Sequence, residues 1–480
     1  MASSSRPFFT AKAPPSARAI ALSLLVESVK SKDGVDVLLD RALAQCSFDN
    51  RERGLTVELT YGVLRRLATI DWLLEPVLDK PLPRLPVAVQ MVLRLGAYQI
   101  LFLDRIPQSA AVNESVNLAK AFAGTVGRDW GGFVNAVLRA LLRRPPQPWP
   151  SVDPDAAQTF AVRYSVPVWL SRRWINRLGV GPAEVVCEEV CVAPPLTLRV
   201  NELITTRDAL LDLFAQASIV AKPTRVSPFG IVLDEGGSVP SLPGYHEGAF
   251  YVEDEAAQLV PPLLDPQPGD TILDACAAPG GKSTHLAALM HNKGKIYAVD
   301  RKETRLDVLR TNCRRLGVQV VVPIVGDIRQ PLDWVPIIET ISPSSVTMAS
   351  AGEPTIDRIL VDAPCSGLGV LRRHPEAKWR THERALPRHQ ALQCQILERV
   401  APRLRPGGVL VYSTCSTEPE ENEDVIEQFC HVHVEFKRES VAPWLPASAQ
   451  GFVTEHGALS TVGNRFSMDG FYAVRLRKVL

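Results

Sequence analysis

The stretch "TILDACAAPGGKSTHLAALM", residues 271–290, begins as a buried strand and ends as a helix. "TILDA" is short, β-rich and stops at the acid Asp274, while "STHLAALM" repeats apolar residues at helical spacing. Between them lie small residues and the pair Gly280–Gly281. Such a loop lets backbone N–H groups approach a ligand at a helix N-terminus, although any tight strand-to-helix turn would also use glycine. Read outward, the pattern recurs. "KIYAVD", "VVVPIVGD", "RILVDAP" and "GGVLVYST" are β-rich runs that end at or near polar rims. Helical stretches such as "TRLDVLRTNCRRLG" and "RHQALQCQILERVAPRL" separate them. Alternating strand and helix over 256–480, closed by "GFYAVRLRKVL", predicts a doubly wound, Rossmann-like α/β domain.

A chain of 480 residues needs more than one core. Residues 16–144 read as all-helical, with prolines 81, 83 and 86 at the joins. "PPQPWPSVDPD", 145–155, holds five prolines in eleven residues and reads as a stiff linker. Residues 156–255 mix a helical "SVPVWLSRRWINRLG", an alternating "LTLRVN" and a capped "TTRDALLDLFAQA", and are expected to form a small α+β domain. Residues 1–15 read as a disordered tail and 332–355 as a flexible insertion. The expected class is therefore multidomain: all-α, then α+β, then α/β.

Residues 1–150 carry 19 Lys and Arg against 13 Asp and Glu, a net of +6 on a chain of net +1. A basic first domain suits a polyanionic partner, and equally an ordinary solvated surface. The most apolar region, "LPVAVQMVLRLGAYQILFLD", is broken by Arg94 and is too short on either side to span a membrane. Nine cysteines without a leading secretory segment point to a reducing, cytoplasmic setting, and no membrane partner is expected. Cys187 and Cys191 read as helical packing.

In a doubly wound sheet, ligands bind beyond the carboxyl ends of the strands. Asp300 is placed to accept the hydroxyls of a ribose, or to start the next helix. Asp327, in "GDIRQ", could reach an adenine amino group. Acidic strand ends in register with one glycine loop suit an adenosine without its phosphates. A P-loop nucleotidase is the rival: Gly281, Lys282 and Ser283 fit G-x-x-x-x-G-K-[ST], but Cys276 stands at the first glycine. Two further strand ends, "DAPCSG" (362–367) and "STCS" (413–416), would bring Cys365 and Cys415 to one rim beside Asp362. Zinc would need four ligands, and no companion C-x-x-C or His pair accompanies these thiols, so no metal is expected. "LRRHPEAKWR" offers Arg372, Arg373, Lys378 and Arg380 around Trp379, a composition that suits RNA or a solvated loop.

"DACAAPGGKSTHLA", "DRILVDAPCSGLGVLRRHPEAKW" and "RPGGVLVYSTCSTEPEENE" closely resemble the S-adenosylmethionine-dependent RNA cytosine-C5 methyltransferases. The nearest pattern is the Sun/Fmu group, the ribosomal RNA small-subunit methyltransferase B type. "VNESVNLAKAF" and "FVNAVLRALL" resemble that group's NusB-like RNA-binding domain. The resemblance covers 16–480 and is loosest over 156–250. Where the family often has "VQD", this chain has "VEDEAAQ" from Val252, and 332–355 is longer than the usual loop. Neither departure is expected to touch the pocket. The resemblance implies Cys415 as nucleophile, Cys365 in release, Asp362 at the base, and Lys282 orienting the base or lowering a thiol pKa. It implies cofactor contacts from Cys276, Ala277, Ala278, Pro279, Gly280, Gly281, Lys282, Asp300, Arg305, Asp327 and Asp362. It further implies S-adenosylmethionine as cofactor and 16S ribosomal RNA as partner; separately, a monomer is expected. A non-catalytic RNA-binding assembly factor on the same fold is the remaining alternative, against which every expected catalytic position is filled.

Overall fold

The computed structural model describes residues 16–31, 33–123, 127–145, 148–151, 155–234, 238–330, 356–464 and 466–479. The tail expected over 1–15, the insertion over 332–355 and part of the linker lie outside the described residues. The chain divides into two compact units, Met1–Ala193 with Leu371–Thr381, and Pro194–Val370 with His382–Leu480. The stretch expected to form one small domain, 156–255, is thus shared between them. Among the described residues no helix is long and apolar enough to cross a membrane.

The first unit is helical: α1 (Ala17–Ser28), α2 (Val35–Ala44), α3 (Asn50–Arg65), α4 (Leu67–Leu74), α5 (Val87–Phe102), α6 (Gln108–Ala121), α7 (Gly131–Arg143), α8 (Ala156–Arg163), α9 (Val168–Leu178) and α10 (Val180–Glu189). Ser16 and Asp49 cap α1 and α3, accepting from the backbone N–H of Ala19 and Glu52. The run broken by Arg94 is α5, apolar nearly all round and therefore central. Arg94 is buried there only because Asp71 takes its guanidinium at 2.7 and 2.8 Å. Cys187 and Cys191 are buried, consistent with packing.

Residues 371–381 correct one expectation. Their basic side chains do not form a solvent-facing stripe for RNA. Lys378 is fully buried and donates to the Arg65 carbonyl at 2.9 Å. Trp379 Nε1 donates to Leu64 O at 3.1 Å, and Arg380 to Ser28 O and Asp33 O at 2.8 and 2.9 Å. Ser28, Leu64 and Arg65 are the last residues of α1 and α3, whose terminal carbonyls have no partner within the helix. Cations belong at that negative end. Glu376 takes the opposite place, accepting from Val35 N, the first residue of α2, at 3.1 Å. The segment matches charge to helix polarity three times over.

The second unit holds two sheets. The smaller joins β1 (Leu196–Val200), β2 (Ala221–Pro223), β3 (Gly230–Leu233) and β4 (Phe250–Val252) in the antiparallel order β2-β3-β1-β4. Helix α11 (Arg207–Gln216) covers it, with Leu210 and Phe214 against Leu198, Ile231 and Phe250. The larger contains β5 (Thr271–Asp274), β6 (Lys295–Asp300), β7 (Val321–Val325), β8 (Ile356–Asp362), β9 (Leu404–Thr414), β10 (Phe436–Glu439), β11 (Leu459–Ser460) and β12 (Tyr472–Lys478). Its order is β10-β12-β9-β8-β5-β6-β7, with β11 paired to β12. Strands β5 to β9 are parallel, and β12 returns antiparallel beside β9.

Period-two alternation sends Ile272, Ile296, Leu360 and Val411 to one face, beneath α12 (Gly281–Leu289) and α13 (Glu303–Arg315). Leu273, Tyr297, Ile359 and Leu410 go to the other, beneath α14 (Leu386–Val400) and α15 (Glu423–Val432). With both faces covered, only the rim at the strand ends can offer a site.

Replacing Lys378 by Met keeps the apolar stem and removes the ammonium. The Arg65 carbonyl then loses its donor, at about 1–3 kcal/mol. Thermal unfolding of K378M should shift downward. The dependence of RNA affinity on salt should match wild type, because no phosphate contact is lost. A shallower salt slope at unchanged stability would return Lys378 to the RNA surface.

Candidate active site

Between β5 and β8 the sheet reverses its direction of winding, and the loops that follow them face each other. The loop after β5 turns at Gly280, whose φ of +105° few side chains tolerate, and opens α12 at Gly281. Lys282, in the first turn of α12, reaches across to Asp362 at the end of β8, Nζ to Oδ2 at 2.7 Å. Ser413 Oγ donates to Asp362 Oδ1 at 2.8 Å. Burial alone would lower the Lys282 ammonium, but Asp362 and Glu253 outweigh it and hold it above its ordinary value. Lys282 is therefore a charged partner of Asp362 and lies 5.1 Å over the Phe471 ring.

Beyond β8 and β9, Cys365 Sγ and Cys415 Sγ stand 3.4 Å apart, both half-buried. Hydrogen bonding to Cys415, then burial, holds the Cys365 thiol well above its ordinary pKa. Either thiol of the pair can donate to the other. Gly369 fixes the turn behind them. Its N–H donates to Cys415 O at 2.9 Å, and a Cβ there would meet Gly470 O at 1.9 Å.

The expected cofactor residues other than Gly280 line two small cavities that share Cys276. One, of about 130 Å³, is lined by Ala277, Ala278, Pro279, Gly281, Lys282 and Asp362, with Asp274, Tyr251 and Glu253. The other, of about 100 Å³, lies among Asp300, Arg305 and Asp327. Asp300 is buried; it accepts from Lys302 N at 3.0 Å and from Arg305 at 2.9 Å. Arg305 also donates to Ala278 O, which ties α13 to the loop. Hydrogen bonds from Arg329 hold Asp327 at about 2. Cys276 has its thiol raised by burial, then by Asp274 and Asp362, so it is no thiolate.

Glu253 corrects another expectation. The "VED" departure does touch the pocket, because β4 runs beside β1 and delivers Glu253 to the cavity wall. Its Oε2 accepts from buried Arg199 of β1 at 2.5 Å. Arg199 also donates to Gly281 O at 2.6 Å and Thr284 Oγ1 at 2.9 Å. Sequence reading also passed over Ser413 and Asp274. Ser413 was findable, since parallel pairing sets it opposite Asp362.

Three family models match the chain: 16S rRNA methyltransferase RsmB/F over residues 261–477, the NusB family over 15–143, and an RsmF/B-like ferredoxin-like domain over 166–240. A probable ribosomal RNA small subunit methyltransferase B from Synechocystis is 36% identical over 464 residues, covering 96% of this chain and 99% of its own. A like-named protein of Bacillus subtilis is 34% identical over the same shares. The chain belongs to the RsmB/F 16S rRNA methyltransferase family.

Among solved structures, PH0851 superposes with a TM-score of 0.79 at 27% identity, covering 97% of this chain and 99% of that one. A methyltransferase homologue from Pyrococcus horikoshii gives 0.55 at 28% identity over 68% of this chain and 99% of its own. The helical first unit thus contains a NusB domain, and the small sheet is the ferredoxin-like domain. The cofactor is S-adenosylmethionine. The donor set fits it, since Asp300 and Asp327 offer the second cavity carboxylate acceptors for an adenosine's hydroxyl and amino groups, beside Arg301, Arg305 and Arg329. The nucleotidase alternative falls with the membership, and with a Lys282 already committed to Asp362.

Asp274 supplies a pH test. It is fully buried, with Oδ2 accepting from Ser283 Oγ at 2.6 Å and Oδ1 without a partner. Burial pushes its carboxyl up to about 7. A raised carboxyl favours the protonated native state, so its contribution is complete below the unfolded value near 4 and lost as pH rises through 7. Denaturant midpoints of wild type should fall across that window relative to D274N. A constant difference between the two proteins would show that Asp274 ionises as an ordinary carboxyl.

Proposed function

We propose that this chain methylates C5 of cytosine in small-subunit ribosomal RNA, through a transient bond between Cys415 and C6 of the base. The observation that carries the reading is the pair of thiols 3.4 Å apart on the rim that also holds the Lys282–Asp362 ion pair. The RNA class follows from the names of the relatives and from the NusB domain.

C5 of cytosine is too weak a nucleophile to take a methyl group unaided. Adding a thiolate at C6 breaks the C5=C6 double bond and makes C5 enamine-like, which divides one hard step into two easier ones. Cys415 gives the electron pair to C6. Asp362 can donate at N3 as negative charge builds there only in its protonated form, so in this reading it takes a proton from the Lys282 ammonium at 2.7 Å and shares it with the ring. S-adenosylmethionine supplies the methyl group to C5. The C5 proton then passes to solvent with Cys365 as relay, which restores the double bond and expels the Cys415 thiolate. Asp300 would receive the ribose hydroxyls of bound S-adenosylmethionine and Asp327 its adenine amino group, beside a loop of Cys276, Ala277, Ala278, Pro279, Gly280 and Gly281. The base must leave its stack to reach this rim, so a single-stranded or loop nucleotide is favoured.

Two measurements test the reading. Asp300→Ala should weaken S-adenosylmethionine binding by about ten- to a hundredfold, the worth of a charge-assisted hydrogen bond. Calorimetry showing wild-type affinity would leave Asp300 as a partner of Arg305 only. Both Cys365→Ala and Cys415→Ala should lose most turnover. Only Cys365→Ala should accumulate an RNA–protein adduct that survives a denaturing gel, and only while Cys415 is present. An adduct from Cys415→Ala, and none from Cys365→Ala, would reverse the two roles.

A further inference from the structure

Nothing in the mechanism explains why two thiols on separate loops should stay within reach of each other. The groups next to them do. Each cysteine is followed by a serine, Ser366 and Ser416, and both serines bond to the same carboxylate. Glu421 is fully buried. Its Oε2 accepts from Ser366 Oγ and Ser416 Oγ, each at 2.5 Å. Its Oε1 accepts from Ser366 N at 2.8 Å and from Gln393 Nε2 at 3.3 Å. Gln393 also donates to Pro364 O at 3.0 Å, on the other side of Cys365.

The carboxylate is itself anchored. Tyr412 Oη donates to the Glu421 carbonyl at 2.5 Å, and Asn422 bridges Thr414 Oγ1 and Ser416 O at 2.5 and 3.0 Å. We propose that Glu421 is a positioning residue, which staples the loop after β8 to the loop after β9 and so sets the reach between Cys365 and Cys415. The proposal rests on reading that pair as the reacting thiols. Only an ionised carboxylate, acceptor at both oxygens, can take all four donors at once. An amide would present its own N–H to hydroxyls that are already donating.

The test reads thiol geometry directly in the full-length protein. Diamide takes two electrons and two protons from a thiol pair, so its N=N bond becomes a hydrazine and the thiols a disulfide. The rate at which the Cys365–Cys415 disulfide forms, followed by mass and peptide mapping, reports their reach without RNA. Wild type should close readily. E421A and the double variant S366A/S416A should close at least about tenfold more slowly, the worth of one hydrogen bond to a charge. Their kcat for RNA should fall while KM for S-adenosylmethionine holds. E421Q, with one acceptor oxygen left, should lie between.

The serine variant removes only two hydroxyls, so it decides the matter even if E421A does not fold. Wild-type closure rates in S366A/S416A, with or without E421A, would overturn the proposal. Slowed closure in variants of a protein that methylates no cytosine would uphold the staple and sink the catalytic reading instead.

Discussion

The parallel pairing of β8 with β9 is the constraint on which the site depends. Its register sets Asp362 opposite Ser413. From there the chain runs only three residues to Cys365 and two to Cys415. A slip of one residue would turn every side chain to the other face of the sheet. Leu410 and Tyr412 would exchange faces with Val411, all three fully buried. The register is therefore enforced by two cores at once, and it fixes where the loops that carry Cys365 and Cys415 leave the sheet. Nothing about the thiols themselves needs to hold them there.

Four acids crowd the same rim, and the structure treats each differently. Asp274 is enclosed with a serine and no cation bonded to it, so burial drives it toward neutrality. Asp362 meets the Lys282 ammonium at 2.7 Å. Asp300 is met by Arg305, and Asp327 by Arg329 at 2.5 Å. Environment, not residue type, separates the one carboxyl that burial pushes toward its protonated form from the three that meet a cation. A ligand entering near Asp300 or Asp327 must compete with a side chain already bonded there, which favours a ligand offering several donors at once.

Much of this was legible in the sequence, for identifiable reasons. The strands of the large sheet alternate or run apolar between acid and glycine, and the cysteine rim follows once β8 and β9 are neighbours. What failed was reading side chains whose chemistry serves two purposes. Lys378 and Arg380 look like phosphate ligands, but a helix C-terminus asks for the same cations, and only three-dimensional proximity to Ser28, Leu64 and Arg65 distinguishes the two. Those partners lie more than three hundred residues away in sequence. Glu253 was missed for a similar reason. It precedes the cofactor domain in the chain but is carried to the pocket by an antiparallel pairing within the small sheet.

That pairing ties the small sheet to the wall of the pocket. Arg199 is almost wholly buried and needs full compensation. It finds Glu253 on its own sheet, and the Gly281 carbonyl and Thr284 hydroxyl on α12. Gly281 and Thr284 flank Lys282, so the turn that aims the ammonium at Asp362 is held from the small sheet as well as from the large one. The charge on Glu253 also helps keep that ammonium protonated. If Arg199 lost its place, Glu253 would be left as an uncompensated buried anion beside Lys282. The ammonium would then be drawn between two carboxylates instead of being committed to one. The ferredoxin-like domain is thus not a spacer ahead of the methyltransferase domain. Through one buried guanidinium it decides which carboxylate Lys282 serves.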